Sequence, residues 1–265
     1  MTPQVFTENN PDRLHGITFY RNDYYCSISN TWNTKPNGQG VTYKNCEEIL
    51  VSSDMVLYAQ WRPLKGVLNG HEYVDLDLPS GTLWAICNIG ADAPEEYGYY
   101  FAWGETEPKE IYNWETYKYC NGGSTQLTKY CDSSNYGFNG FVDNLYNLLP
   151  DDDAATTNWG IGFYTPTFWQ WSELVENTTR KWVIQNGVNG ALFTGSNGQT
   201  LFLPAAGDRW EEDLFIEGSV CRFWTKDRYM DPSCAWDSYI DEVGGSNSGL
   251  YRSCGLTIRA VCFSE

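Results

Sequence analysis

The chain has 265 residues, with 17 Lys and Arg against 34 Asp and Glu, and a net charge of −17. Phosphate backbones and anionic lipid repel such a polyanion, which disfavours nucleic acids and membrane surfaces as partners. No apolar run reaches the length that spans a bilayer, so we expect no membrane insertion.

Aromatic residues and cysteines are both abundant. Aromatics make up 16% of the chain, with 12 Trp and 19 Tyr, which suits dense cores and contact surfaces. Nine Cys without a close CxxC pair, and only two His, give little support for a zinc site, so we expect neither metal nor cofactor. The cysteines are either disulfides, which require an oxidising compartment, or buried thiols.

The first 62 residues differ in texture from the rest. The opening MTPQVFTENN has no basic start and no apolar segment, so either a leader lies upstream or the protein is cytoplasmic. The cluster PNGQG at residues 36–40 predicts a turn. Alternating Met55, Leu57, Ala59 and Trp61 predict a half-buried strand over residues 53–61.

The same region resembles the Listeria–Bacteroides repeat, a small β-rich module of bacterial surface proteins. The resemblance implies a partial, β-grasp-like module over residues 1–62 and a second domain over residues 63–265. The matching residues are Trp32, Asn33, Thr34, Lys35, Gly38, Gly40 and SDMVLYAQW at residues 53–61.

Two helices are predicted in the second domain. Thr167 and Gln170 fit a capping box, and Phe168, Trp171, Leu174 and Val175 then recur at helical spacing, which predicts a helix over residues 167–177. A second helix is predicted from three apolar residues ended by a proline: Val142, Leu145, Leu149 and Pro150.

Short strands between turns make up the rest of the pattern. A strand is predicted at residues 200–203, and alternation at the C-terminus predicts another through Leu256, Ile258, Ala260 and Cys262. Residues Asp151, Asp152 and Asp153 could offer oxygens to Ca²⁺, but we favour a helix start, where acids face the positive end of the helix dipole. The predicted class is α+β, loop-rich and poor in helices.

From His71 to Cys262 the chain resembles the Fibrobacter succinogenes major paralogous domain. This resemblance implies a C-type-lectin-like fold, in a broad group that includes formylglycine-generating enzymes and hypervariable bacterial receptors. It also implies an exported or lipid-anchored protein of gut bacteria, at the cell surface or outside the cell. The matching stretches, in order, include HEYVDL, LPSGTLWA, PEEYG, YFAWGET, LTKY, NGVNG and FLPAAG, followed by Trp224, Arg252, Arg259 and Val261.

In the lectin-like fold the last loops before the closing strand form the ligand face, which places the site within residues 221–252. Trp, Tyr and Arg dominate contact energies, and this stretch is rich in them. Related receptors of the fold group diversify this region genetically. The predicted ligand-binding residues are Trp224, Arg228, Tyr229, Asp231, Trp236, Asp237, Tyr239, Tyr251 and Arg252.

These residues do not all have the same expected role. We favour a scaffold role for Trp224, Trp236 and Arg252, because the family motif retains them. We favour exposure and binding for five others: Arg228, Tyr229, Asp231, Asp237 and Tyr251.

The resemblance also bears on the cysteines. Cys87 and Cys262 belong to the family pattern, and the first and last strands of the domain are expected side by side, so it implies a Cys87–Cys262 disulfide. Other pairs, Cys120 with Cys131 and two of Cys221, Cys234 and Cys254, stay open, as do free buried thiols.

Three functions follow as hypotheses. The preferred one is a non-enzymatic binding protein that recognises a glycan or a host or bacterial protein. The second is an oxidase related to formylglycine-generating enzymes, for which Cys221, Cys234 and Cys254 are the available thiols. The third is a structural stalk or phage tail part without a ligand. His71 has no neighbouring nucleophile motif in sequence, so we expect it to be structural rather than catalytic.

Overall fold

The computed structural model of the chain describes residues 12–13, 24–26, 31–44, 47–50, 55–59 and 61–263. Internal contacts divide the chain into two compact units. The N-terminal unit comprises Met1–Lys65 with Pro79–Gly81, and the C-terminal unit comprises Gly66–Leu78 with Thr82–Glu265. Each is described by itself.

The described part of the N-terminal unit consists of short antiparallel strands. Strand β1 pairs with β5, β2 pairs with β7, and β3 lies between β4 and β6. The strands are β1 (Asp12–Arg13), β2 (Tyr24–Cys26), β3 (Thr31–Asn33), β4 (Thr42–Lys44), β5 (Glu48–Ile49), β6 (Tyr58–Ala59) and β7 (Trp61–Pro63).

Asn33 organises the turn that the sequence predicted after it. Its side-chain oxygen accepts from the backbone N–H groups of Lys35 and Gly40, at 2.8 and 2.9 Å, and its amide donates to the carbonyl of Gly38 at 2.9 Å. The strand predicted at residues 53–61 is present only as β6 and the start of β7. Residues 55–57 are irregular, and Ser53, Asp54 and Gln60 lie outside the described residues.

The C-terminal unit contains four sheets of antiparallel strands and two α-helices. The sheet orders are β19-β10-β9-β8, β11-β12-β13, β14-β15 and β16-β17-β18. The elements are β8 (Lys65–Leu68), β9 (His71–Asp75), β10 (Thr82–Ala85), α1 (Ala154–Trp159), α2 (Phe168–Asn177), β11 (Thr179–Gln185), β12 (Val188–Thr194), β13 (Thr200–Pro204), β14 (Asp208–Trp210), β15 (Asp213–Phe215), β16 (Val220–Arg228), β17 (Cys234–Asp241), β18 (Gly245–Tyr251) and β19 (Val261–Phe263).

The described residues are therefore mostly strand and loop with few helices, and the general class predicted from the sequence is confirmed. Residues 86–137 contain no regular helix or strand; they are held by turns and isolated bridges. Two short 3₁₀ helices, Phe138–Gly140 and Pro150–Asp152, lie before α1.

Helix α2 forms as its sequence predicts. Thr167 accepts from the N–H of Gln170, and the Gln170 side chain accepts from the N–H of Thr167, so the capping box is complete. Trp171 and Leu174 are buried against the β-sheet core. Asp153 is the N-cap of helix α1, and its carboxylate accepts from the N–H of Ala155 at 2.9 Å, so the acidic run lies at a helix start as predicted.

The helix predicted from Val142 to Leu149 is wrong. The carboxylate of Asp143 instead accepts from the N–H groups of Tyr130, Cys131 and Leu145, at 2.7 to 3.1 Å. Asn144 takes a positive φ of 56°, which is incompatible with a right-handed helix. A local carboxylate thus replaces the helical hydrogen bonds.

The C-terminal segment runs between two hydrophobic cores. Leu256, Ile258, Ala260 and Cys262 all lie in one core, and Val261 lies in the other. The predicted alternation is therefore real, but only Val261–Phe263 forms a regular strand. The residues before it are held by single contacts, such as the N–H of Ala85 donating to the carbonyl of Ala260 at 2.9 Å.

Candidate functional site

The sheet β16-β17-β18 carries or borders every residue predicted to bind a ligand. In its register Trp224 lies opposite Asp237, Asp237 opposite Ser248, and Cys234 opposite Tyr251. Tyr229 and Asp231 lie in the turn between β16 and β17, and Arg252 follows β18 directly. The side chains nevertheless divide into a buried set and two surface sets.

Trp224 and Arg252 are scaffold residues, as favoured from the sequence. The Trp224 indole is buried and donates to the carbonyl of Phe101 at 2.7 Å. The buried Arg252 guanidinium donates to the carbonyls of Lys129 at 3.2 Å, Tyr130 at 3.1 Å and Pro232. Arg252 thereby ties the end of β18 to the loops beside it.

The prediction that Arg228 is exposed is wrong. Its side chain is buried, pairs with the carboxylate of Asp132, and lies 4.3 Å from the ring centroid of Tyr146. A guanidinium in this position is enclosed by a carboxylate and a ring from residues distant in the sequence, so it is unavailable to a ligand from solution.

Asp237 is also buried, contrary to prediction. Its carboxylate accepts from Arg222 Nε at 2.8 Å and from the Ser248 hydroxyl at 2.9 Å. Arg222 also donates to Asp208 at 2.7 Å and lies 5.7 Å from the ring centroid of Tyr239. Asp237 and the half-buried Tyr239 thus belong to an internal ion-pair cluster that joins β14, β16 and β17.

Asp231 shapes the turn that carries Tyr229. Its carboxylate accepts from the N–H and the hydroxyl of Ser233, at 2.9 and 2.7 Å. Tyr136 approaches the same carboxylate at 3.4 Å. Because its oxygens already have these donors, Asp231 acts on the site by fixing the turn.

Tyr229 and Trp236 belong to a row of four rings that we call the aromatic ladder. In order the ladder is Trp169, Phe168, Trp236 and Tyr229, with successive ring centroids 5.1, 4.7 and 4.4 Å apart. Trp169 is 75% exposed, whereas the other three rings are partly buried. Met230, which is 72% exposed, follows the ladder in the chain. The ladder is therefore a candidate interaction site, because exposed apolar patches often mark such sites.

Polar contacts at the start of α2 hold the first two rings of the ladder. The Asp227 carboxylate of β16 accepts from the N–H of Phe168 at 2.6 Å and from the Asn147 amide at 2.6 Å. Burial raises the pKa of Asp227, and the N–H of Phe168 opposes that rise. The N–H of Lys226 also donates to the carbonyl of Pro166 at 2.9 Å. Strand β16 therefore positions the first turn of α2.

A glycine in β18 makes room for the last ring. A Cβ added at Gly249 would lie 2.8 Å from the ring of Tyr229. Real Cβ contacts are essentially never that short, so Tyr229 can lie over the sheet only because residue 249 has no side chain.

Tyr251 belongs to a second surface group, the Tyr251 cluster, formed with Trp114 and Trp210. The centroids of the Trp114 and Trp210 rings each lie 5.9 Å from that of Tyr251. Tyr251 is 42% exposed and Trp210 is 40% exposed, so this group is also open to solvent. Tyr251 thus has the exposure predicted for it.

Trp169, Trp114 and Trp210 were absent from the predicted site. The exposure of Trp169 could have been predicted from the sequence. Trp169 lies outside the apolar stripe of α2, so its side chain points away from the core. No sequence signal brings Trp114 or Trp210 to Tyr251, because that contact arises only from the tertiary fold.

The predicted Cys87–Cys262 disulfide is not formed. Strands β10 and β19 do lie side by side, but Cys262 pairs with Leu83, and Cys87 lies two residues beyond the end of β10. The seven cysteines of the C-terminal unit are free thiols: Cys87, Cys120, Cys131, Cys221, Cys234, Cys254 and Cys262.

In the described ranges no three metal-binding side chains converge on one point. Within the same ranges no helix has the length and apolarity needed to cross a bilayer. Comparison with protein-family models, curated proteins and solved structures found no match to this chain.

Proposed function

We propose that this chain is a ligand-binding protein, exported or displayed on a bacterial surface, that recognises a glycan or a protein through its C-terminal unit. In this proposal the C-terminal unit has a C-type-lectin-like fold. The pairing of β10 with β19, near the two ends of the unit, and its long irregular segment support that fold.

The aromatic ladder is the observation that carries the proposal. Tyr and Trp side chains present a large contact area, and because they are rigid they lose little conformational entropy on binding. A Trp side chain that is 75% exposed beside three further rings gives an aromatic surface that a sugar face or an apolar protein segment can contact. The ladder includes two residues of the predicted site: Tyr229, for which binding was favoured, and Trp236, for which a scaffold role was favoured.

No observation favours the two alternative functions. An oxidase with reactive cysteines requires accessible thiolates, yet burial raises the pKa of Cys221 and of Cys254 to about 12 and also raises that of Cys234. A stalk without a ligand would have its aromatic residues buried, whereas Trp169 and Tyr251 are open to solvent.

A glycan array and a pull-down of proteins, both performed with the full chain, test the proposal. We expect the Trp169→Ala/Tyr229→Ala variant to lose most of the binding that the unmodified chain shows. Trp210→Ala is the matched control, because it removes an exposed indole from the Tyr251 cluster and leaves the ladder intact.

Two outcomes would contradict the proposal. Binding that survives the double variant but disappears with Trp210→Ala would move the site to the Tyr251 cluster. If neither glycans nor proteins are retained by the unmodified, folded chain, the proposed binding function is wrong.

A further inference from the structure

Arg209 differs from the other arginines of residues 64–263. Five of the six donate to a carboxylate or a carbonyl within the protein, whereas the Arg209 guanidinium has no acceptor among the described residues. Arginine forms strong, two-pronged hydrogen bonds to carboxylates, so an open guanidinium is available to a ligand. The five paired residues are Arg180, Arg222, Arg228, Arg252 and Arg259.

The backbone of Arg209 is fixed by hydrogen bonds, whereas its guanidinium has no hydrogen-bond acceptor among the described residues. Its backbone N–H and carbonyl both bond to Gly255, at 2.8 and 2.9 Å, and its guanidinium lies 5.0 Å from the ring centroid of Tyr100. From this position it lines a cleft of about 570 Å³. That volume falls within the range of small-molecule sites.

Three tyrosines form the aromatic wall of this cleft. The Tyr100 hydroxyl donates to the carbonyl of Ala206 at 2.6 Å, and the Tyr112 hydroxyl donates to the carbonyl of Tyr100 at 2.6 Å. Tyr99 is 49% exposed, and its ring packs so closely on Gly90 that a Cβ there would lie 2.4 Å from it. The wall is therefore built before any ligand arrives.

The charges around the cleft restrict what can bind. The ammonium of Lys109 is already paired with Glu105 at 2.9 Å. The exposed carboxylates of Glu110 and Glu212 also line the cleft and have no partner among the described residues. In the described part of the chain, the cleft is therefore lined by one cation without an acceptor, by two carboxylates without a donor and by one exposed ring.

We propose that this cleft binds a sugar carrying a carboxylate, a hexuronic-acid residue. The carboxylate of the ligand accepts two hydrogen bonds from the Arg209 guanidinium. The hydroxyl groups of the sugar donate to Glu110 and Glu212, and the apolar face of the sugar ring lies on Tyr99. None of the ladder residues lines this cleft, so the inference is independent of the proposed ladder site.

The same charges disfavour the alternative ligands. A phosphate ester or an acidic peptide carries several negative charges, which the two glutamates would repel at close range. A neutral sugar lacks a partner for Arg209. A uronic acid combines a single negative charge with several hydroxyl donors, which matches the groups present.

Titration calorimetry of the full chain with the methyl glycoside of galacturonic acid, which carries a single carboxylate, tests this inference. We expect saturable binding that weakens about ten-fold or more in Arg209→Gln and in Arg209→Lys, since Lys keeps the charge but loses the fork. Lys181→Gln, on the exposed face of β11, removes one positive charge elsewhere and should bind like the unmodified chain. A melting curve of each variant confirms that it folds.

Further probes separate the sugar from its carboxylate. The methyl ester of the same galacturonic acid glycoside is neutral and should bind about ten-fold or more weakly. The inference is overturned if the ester binds equally well, if Arg209→Gln binds as tightly as the unmodified chain, or if the folded chain does not bind the galacturonic acid glycoside. Equal binding of N-acetylaspartate amide would overturn the assignment to sugars, because any carboxylate would then suffice.

Discussion

His71 shows how packing sets the charge of a single side chain. Its ring stacks on Trp159 with centroids 4.0 Å apart and meets the edge of Phe163 at 6.1 Å. Burial lowers the pKa of His71 below its ordinary 6.5, so the imidazole is neutral at pH 7. The residue packs as an aromatic ring, in keeping with the structural role expected for it.

We predict that the NMR titration midpoint of His71 lies below 6.5. In the pH range between the lowered pKa and 6.5 the unfolded chain binds more protons than the folded chain, so stability falls as the pH falls through this range. His71→Phe should remove this part of the pH dependence. A midpoint at or above 6.5 would show that the ring is not desolvated as described.

Asp152 is a buried carboxylate with three donors. It accepts from the hydroxyls of Tyr119, at 2.5 Å, and Tyr130, and from the ammonium of Lys129. Burial alone would raise the pKa of Asp152, but the hydrogen bonds outweigh it and hold the pKa below the ordinary 3.8. The carboxylate thereby ties the turn before α1 to the irregular segment.

We predict that Asp152→Asn lowers the free energy of unfolding by about 3 kcal/mol at pH 7, measured by urea denaturation. The adjacent, exposed Asp151→Asn should change it by less than about 0.5 kcal/mol. The gap between the Asp152 variant and the unmodified chain should narrow below pH 3.8, because the stabilisation is lost as the folded carboxylate becomes protonated. Equal effects of the two variants would contradict this account.

At the residue scale, sequence reasoning identified residue types well but not their partners. Arg228 and Asp237 were expected at the surface because the lectin-like resemblance places residues 221–252 at the ligand face. Asp132, the partner of Arg228, lies 96 residues earlier in the chain, and no local pattern indicates that pairing. The free guanidinium of Arg209 was missed for the same reason.

At the scale of elements, the prediction of a helix succeeded where its hydrogen bonds are local and failed where they join residues distant in sequence. The capping box of α2 is formed within four residues, so the sequence alone predicts it. The segment from Val142 to Leu149 is shaped by Asp143 contacts with Tyr130 and Cys131, more than ten residues away. Apolar spacing cannot reveal such a contact.

Strand β18 offers a test of how the ladder is assembled. We predict that Gly249→Ala displaces the Tyr229 ring from Trp236 at a cost of about 1 kcal/mol or more, and weakens ligand binding. Gly244→Ala is the control, because a Cβ there meets nothing within 4 Å. Ring-to-ring nuclear Overhauser effects between Tyr229 and Trp236 report the displacement. If those effects persist unchanged in Gly249→Ala, the contact is not set by residue 249.

At the scale of the whole molecule, the state of the cysteines shows whether the fold is stabilised by packing around free thiols or by a disulfide. The described thiols are buried or partly buried, and burial raises the pKa of Cys262 to about 12. We predict that the folded chain, purified without reductant, is alkylated slowly at the described cysteines and quickly after unfolding. Peptide mapping by mass spectrometry measures this. Detection of a peptide linked through Cys87 and Cys262 would contradict this prediction and show that the disulfide expected from the sequence forms.

The overall class was predictable because alternation and turn residues outnumber helical patterns along the chain. The division of the exposed aromatic residues into the aromatic ladder and the Tyr251 cluster could not be predicted. The Tyr251 cluster depends on contacts such as that of Trp114 with Tyr251, which lie 137 positions apart in sequence. Periodicity, turn residues and local capping signals therefore predicted the class, helix α2 and the start of α1, and the tertiary fold decided which rings remain exposed.

The most direct test of the ladder is ¹⁹F NMR of the chain labelled with 5-fluorotryptophan, titrated with the best-binding glycan or protein from the screen. Trp169→Phe assigns the Trp169 resonance among the 12 tryptophans. We predict that the Trp169 signal shifts with ligand concentration while the signals of buried Trp84 and Trp103 stay fixed. A saturating ligand that leaves the Trp169 signal unmoved would contradict the account.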